Sequence, residues 1–318
     1  MSSRGLRRPQ TQSESAAHYR QKAWAYIELT RMHRYPLGVN FATLPTLWSL
    51  AFAARRASLP LADFALLNVA VVIAIFVVNS AACVYNDICD VEFDRQVDRS
   101  KGRPLAAGRA SLRGACILLS LLVSVALGML VFVEDTMAIL FGLLWLFPLN
   151  ALYPLMKRWT YWPQAWLGLA INWGILVVWP VVIIPSQFSR CLVPAVLLIG
   201  SMCWTIVYDT VYAYQDARDD IRAGVRSTAL LFGAQVKPIL AAFGAVFMTS
   251  LAVSGKLNGQ GSVYYVVCVG GSAFHFAWQL VTWRIDNPDS CARIFWANYH
   301  LGCLIWLGLV FDYIFHVY

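Results

Sequence analysis

Two short windows hold nine of the seventeen carboxylates in this 318-residue chain: Asp87, Asp90, Glu92, Asp94 and Asp98, then Asp209, Asp216, Asp219 and Asp220. Asn86, Asp90 and Asp94 are spaced by four, as are Tyr212, Asp216 and Asp220, with a constant offset of 126 residues. On a helix, positions i, i+4 and i+8 rotate by only about 40° per step, so each row can present a ladder from one face. Acids gathered this closely repel one another, by about 4 kcal/mol for a pair 4 Å apart at an effective dielectric near 20. Hydrated neutralisation by Arg95, Arg99, Lys101 and Arg103 is the plainer way to compensate. Magnesium fits better, because it takes octahedral oxygen coordination from one or two carboxylates plus phosphates and water. The basic residues beside the rows, Arg99, Lys101 and Arg103 after the first and Arg222 and Arg226 after the second, could grip phosphate oxygens or be ordinary loop charges.

A diphosphate site at the end of membrane helices calls for a substrate with a long apolar tail, and an allylic prenyl diphosphate is the economical choice. Metal neutralises the charge that develops on the departing diphosphate. The allylic cation left behind needs water excluded and is stabilised by aromatic faces, although most of the 13 Trp, 14 Tyr and 17 Phe are read as packing or interfacial belt. His18, His33, His275, His300 and His316 share no spacing, and His275 reads as a satisfied core residue. No nucleophilic triad is needed if the acceptor is an electron-rich ring. A membrane terpene cyclase would use the same rows without an acceptor. An ion transporter is disfavoured, since transporters place such residues near the bilayer midplane.

The elements that must position these rows are membrane helices. Hydrophobic residues make up 59% of the chain and charged residues 13%, against roughly 45–50% and 25% in soluble domains, which nearly excludes a soluble fold. The formal charge of +8 lies between apolar runs rather than along one stripe, which argues against nucleic acid. Nine runs are long enough to span a bilayer: 35–54, 64–85, 114–133, 136–153, 163–184, 191–212, 238–255, 262–283 and 294–316. The uncharged stretch 159–189 is too long for one upright helix and is expected to open with an interfacial segment at Trp159, Tyr161 and Trp162. With a cytosolic N-terminus, 21 of the 25 Lys and Arg fall on the cytosolic side, leaving Arg55, Arg56, Arg190 and Lys256 opposite. Four crossings separate the two acidic windows, so both share the cytosolic face.

The expected fold is thus all-α, a nine-helix transmembrane domain over 35–318 that carries the acidic motifs at 86–94 and 212–220. Residues 1–34 form a polar cytosolic arm. That arm lacks the apolar core of a secretory signal and reads as a solvated tail, with a mitochondrial transit peptide as the alternative. The eight cysteines contain no CxxC pair and read as small buried hydrophobes. No obligate protein partner is inferred; the partners are membrane lipid, the prenyl diphosphate and a small aromatic acceptor.

The first window, NDICDVEFDRQVDRSKGRPLAAGRAS, resembles the NDxxDxxxD motif and basic RPL-x-x-G loop of the UbiA superfamily of intramembrane prenyltransferases. The second, YDTVYAYQDARDDIRAGVRSTALLFG, is similar to the YDTxYAxxDxxDD segment of the 4-hydroxybenzoate polyprenyltransferase branch. LYPLMKRW (152–159) and WPQAWLG (162–168) look like that branch's middle motif. The resemblance runs from about Pro36 to Gly233 and implies nine helices around a central cavity. It further implies that Asn86, Asp90, Asp94, Asp216 and Asp220 bind diphosphate through magnesium, that Tyr153 and Lys157 face the cavity, and that Tyr212 lines it. Asp87, Asp209 and Asp219 would position the rows. RMHRYPLG (31–38) departs from the branch's R-x-D-K-P approach to the first span, and Ser100 stands where Thr is common. These departures, with the short arm, favour a fungal meroterpenoid-type enzyme with a farnesyl-length donor in an ER-type membrane over the mitochondrial ubiquinone enzyme.

Overall fold

The computed structural model describes residues 12–34, 40–98, 100–183, 191–215, 217, 221, 222, 224 and 226–318. Among them every regular element is helical: α1 (Gln12–Leu29), α2 (Asn40–Ala57), α3 (Leu61–Asp94), α4 (Leu112–Leu130), α5 (Thr136–Trp159), α6 (Pro163–Val182), α7 (Leu192–Ala213), α8 (Thr228–Phe232), α9 (Val236–Asn258), α10 (262–282) and α11 (Pro288–Val317). Seven stretches are long and apolar enough to cross a membrane, namely α3, α4, α5, α6, α7, α8 with α9, and α11. The chain is an integral membrane protein. Its outward faces fit lipid as solvent, with Leu66, Ile73, Ile117, Leu121, Val125 and Phe274 exposed on helices that satisfy their own backbone.

Helix ends follow local chemistry. Ser111, Asp135 and Asn287 accept from the backbone N–H groups of Gly114, Ala138 and Ser290, capping α4, α5 and α11, and Pro163 and Pro288 occupy first turns, where the missing N–H costs nothing. Within α5, Pro148 cannot donate to the carbonyl four residues back. The helix widens to a π turn over Trp145–Leu149, and the Trp145 carbonyl accepts from the Asn150 backbone and, at 2.8 Å, from its side chain.

α2 lies at the centre, its Leu47–Ala54 segment buried, and packs on α3, α6, α7 and α11. α9 lies along α7 and α4 along α3. Phe276 of α10 fills the space that a side chain on Gly244 of α9 would need, the close helix approach that small residues permit. At one end of the bundle Arg55 pairs with Asp312 at 2.9 Å, and both Arg55 and Arg56 reach Asn258. This groups Arg55 and Arg56 with the loop that follows Lys256.

Several elements differ from the sequence reading. α3 continues to Asp94 instead of stopping near 85; at 34 residues it is about 51 Å long, well beyond the roughly 30 Å hydrocarbon core, so its last turns project past the apolar layer. The arm is more than a solvated tail: α1 packs on α3 and α4, burying Ala25 and Leu29. The interfacial piece after Trp159 is a short non-helical link with Tyr161 and Trp162 exposed, and α6 starts at Pro163. All eight cysteines are free, but Cys116 and Cys191 are exposed rather than buried.

Candidate active site

The last turns of α3 carry the first acidic row, and the carboxylates there are almost without solvent. Asp87 and Asp90 are 0% exposed and Asp94 7%. At about 100° per residue, Asp94 lies between Asp90 and Asp87 in azimuth, with Asn86 at the edge. The buried stripe is therefore 87, 90 and 94, a face that the four-residue spacing alone does not single out. Buried carboxylates require partners, and four cations converge, Arg158 the most distant at 3.9 Å from Asp90 Oδ1. Lys157 of α5 pairs with Asp90. Arg103, from the loop after α3, meets Asp94 at 2.9 and 3.0 Å and Asp87 at 3.3 Å. Arg31 donates to Asp87 Oδ1 at 2.6 Å.

Arg31 holds a left-handed backbone conformation, φ 63°, and a second bond to the Glu28 carbonyl at 3.0 Å orients its guanidinium. Just before it, Glu28 pairs with Arg109 at 2.6 Å, and that hydrogen bond holds the Glu28 carboxyl below its ordinary range. The arm is thus tied twice to the first acidic window and the loop behind it. Sequence reasoning did not find Arg31, since nothing in RMHRYPLG signals a carboxylate 56 residues away. In Arg31→Gln the pair is lost while Arg103 still faces Asp87. Breaking a buried pair costs about 3–5 kcal/mol; with one partner left, about 2 kcal/mol, more than tenfold in the docking equilibrium of α1, is expected. Faster limited proteolysis within α1 checks this, and unchanged proteolysis contradicts it.

Tyr153, one turn before Lys157, lines a cavity of about 230 Å³ together with Asn79, Asn86, Asn150, Cys83 and Trp145. Asp90, Asp209 and Arg103 all lie close enough to Tyr153 to act on it electrostatically, so Asp209 of α7 belongs to the same end of the bundle as the first row. The chain after the second window returns there as well. The Arg226 backbone N–H donates to the Lys157 carbonyl at 3.1 Å and its guanidinium to the Trp159 carbonyl at 3.0 Å. Arg158 caps the neighbouring Cys89 carbonyl at 2.8 Å.

Other expected residues make contacts of their own. Lys101 pairs at 2.6 Å with exposed Asp98, which raises the lysine's pKa and lowers that of the acid, so it points away from the buried stripe. Arg226 clasps the end of α5 and stacks on Tyr161, and Arg222 is exposed. Tyr212 rests on Phe295 at 4.5 Å. α7 itself ends one residue later, at Ala213, where Tyr214 turns aside to bond the Gly233 carbonyl at 2.9 Å and pack on Trp283; one unbroken helix does not carry the second row from Tyr212. Arg99, Asp216, Asp219 and Asp220 lie outside the described residues. His275 bonds Gln279 at 3.0 Å, as a satisfied core histidine should.

Among the described residues no three His, Cys, Asp or Glu side chains gather into a metal-binding group. The first row nevertheless suits a hard cation. Asp87 Oδ2 and Asp90 Oδ1 are buried with no hydrogen-bond partner, and carboxylate oxygens are the donors magnesium prefers.

Fold and site together define a multispan helical membrane protein with a buried row of acids on α3, beside a largely apolar cavity that Asn86 and Tyr153 line. The UbiA prenyltransferase family model matches residues 42–302, and the chain belongs to that family. It is 42% identical over 293 residues to the UbiA prenyltransferase claS of Ampulloclitocybe clavipes, covering 92% of each chain. To the mitochondrial 4-hydroxybenzoate polyprenyltransferase of Schizosaccharomyces pombe it is 36% identical over 298 residues, 92% of this chain and 81% of that one. Among solved structures, a UbiA homologue from Aeropyrum pernix K1 aligns with a TM-score of 0.70 at 23% identity, covering 84% of this chain and 97% of that one. One from Archaeoglobus fulgidus, bound to GPP and Mg2+, aligns with 0.68 at 14%, covering 91% and 99%. These likenesses to solved structures show the fold.

Proposed function

We propose that this protein is a magnesium-dependent aromatic prenyltransferase, with the diphosphate held between the end of α3 and Lys157. The observation that carries the reading is the buried stripe of Asp87, Asp90 and Asp94, faced by four cations and carried on the same helix whose Asn86 lines a largely apolar cavity. Magnesium would be held by Asn86, Asp90 and Asp94 with Asp216 and Asp220, and would neutralise charge on the departing diphosphate. Lys157, Arg103 and Arg31 are placed to bind phosphate oxygens as well as to balance the acids. Tyr153 and Lys157, one turn apart on α5, face the reacting end of the donor. The allylic carbon–oxygen bond breaks, diphosphate leaves, the ring carbon of the acceptor takes the allylic carbon and the ring proton is lost. The apolar cavity walls keep water from the cation.

Nine membrane crossings are part of this reading. α2, with 18 residues, and α10 are also of membrane-crossing length; Arg55 and Arg56 in one and His275 and Gln279 in the other lower their apolarity. Residues 1–34 would then lie on the side of the acidic stripe, as a cytosolic arm if the lysine and arginine distribution sets the orientation. We favour a farnesyl-length donor and a phenolic acid acceptor in meroterpenoid metabolism. A second reading, 4-hydroxybenzoate prenylation for ubiquinone, is supported by the 36% identity to the yeast enzyme and would place the protein in mitochondria.

Membranes containing the protein should release diphosphate only with donor, acceptor and magnesium all present. EDTA should bring release to background and excess MgCl2 should restore it; release that persists in EDTA refutes metal dependence. A hydrocarbon or terpene alcohol formed without acceptor would mean a cyclase. Turnover of 4-hydroxybenzoate with only the longest donors would favour the ubiquinone reading, and orsellinate-type acids with farnesyl diphosphate the other.

A further inference from the structure

Beyond the 230 Å³ cavity lies a second, of about 740 Å³, bordered by α2 to α6 and open at the α4–α5 turn, where Phe132, Glu134 and Asp135 line it. Val78 and Trp145 line both. One face of α3 runs along the pair, Asn86 and Cys83 beside the first, Val78 at the junction, Ala74, Val71 and Leu67 beside the second. Asn86 and Val78 are eight residues apart, about 12 Å along the helix. A tail threaded from Asn86 along this face therefore meets the Trp145 indole early.

Trp145 is fixed there. It is 6% exposed and opens the π turn imposed by Pro148. Its indole N–H donates to the Ala170 carbonyl at 2.6 Å, and its own carbonyl is tied to Asn150. A π turn re-aims the side chain relative to a regular helix, and such turns are frequent at functional sites. Size gives the consequence. A cavity of about 150 Å³ accommodates a six-carbon ring. On that scale the first cavity takes on the order of ten carbons and the second on the order of thirty.

Resting on the prenyltransferase reading, we infer that Trp145 is a specificity-determining residue that sets donor length, closing the small cavity against the large one so that tails of about ten to fifteen carbons are favoured. Val78, which lines both cavities with it, is too small to close the gap alone.

The test is the ratio of kcat/KM for decaprenyl diphosphate to that for farnesyl diphosphate, measured in one membrane preparation so that the amount of folded enzyme cancels. Trp145→Ala should raise this ratio by at least about tenfold, the scale of discrimination that apolar pockets reach for small changes in bulk. Trp145→Phe, which keeps most of the volume but cannot bond Ala170, should raise it less. A ratio within twofold of wild type in both variants overturns the inference, and so does loss of turnover with every donor in both, which would assign Trp145 to structure. Wild-type membranes that turn over no donor would instead defeat the prenyltransferase reading itself.

Discussion

Asp90→Asn should lower kcat/KM by at least about a thousandfold, the upper range for removing one group that stabilises developing charge, while the protein still assembles in the membrane. Asp90 is fully buried on α3 and paired through one oxygen with Lys157; its other oxygen makes no hydrogen bond and has the Arg158 guanidinium 3.9 Å away. Asparagine keeps the shape and removes the charge. Lys157 then loses its counter-ion, and the site loses a donor that a hard cation prefers. Because the two side chains act as one unit, adding Lys157→Met to Asp90→Asn should cost far less than the two separate losses combined. The measurement is prenyl transfer in membranes, normalised to enzyme quantified by immunoblot. Activity within tenfold of wild type would remove Asp90 from the site.

Asp312→Ala should act on the other end of the molecule and on stability rather than turnover. Asp312 and Arg55 are 4% and 9% exposed at their side chains and 2.9 Å apart. The contact is electrostatic more than directional, since Arg55 Nε makes no well-aligned hydrogen bond. Asp312 also accepts from the backbone N–H groups of Gly261 at 3.0 Å and Tyr264 at 3.4 Å, joining α2, the start of α10 and α11. Alanine would leave a buried guanidinium with only the Asn258 carbonyl at 3.5 Å, and two amide groups without this acceptor. The expected cost is roughly 4 kcal/mol, or on the order of 10 °C in Tm. Asp312→Asn keeps an acceptor for the amides and should cost less. Thermal inactivation in detergent reads both, and an Asp312→Ala protein as stable as wild type would show that this clasp contributes nothing. The folded fraction should retain its kcat/KM, because Asp312 belongs to the end opposite the acidic stripe.

Much of the candidate site was legible because its ingredients are rare in a membrane protein. Carboxylates are scarce in apolar runs, so a row of them at Asp90 and Asp94 stands out, and YPLMK placed Tyr153 and Lys157 by likeness alone. The departures have physical causes. Counting in fours selected Asn86, which lines the cavity, but did not show that Asp87 shares the buried stripe, because the arm and the Arg103 loop cover α3 from one side. Hydropathy ended the second span near residue 85, since it registers apolarity and not helix continuation; α3 carries its acids on to Asp94, where Lys157, Arg103, Arg31 and Arg158 face them. Lys101 and Arg226 were chosen for nearness in sequence to the rows, but one pairs with Asp98 and the other clasps the end of α5.

By itself the amino-acid order determined that the chain enters a bilayer and that its acids collect near span ends, because transfer of each side chain into lipid is a local property. Tertiary structure decided which cation meets which acid, that the arm reaches Asp87 through Arg31, and that Trp145 stands between two cavities. Those outcomes depend on how closely separate helices approach and on the turn imposed by Pro148, and distances between helices are not encoded in spacing along one of them.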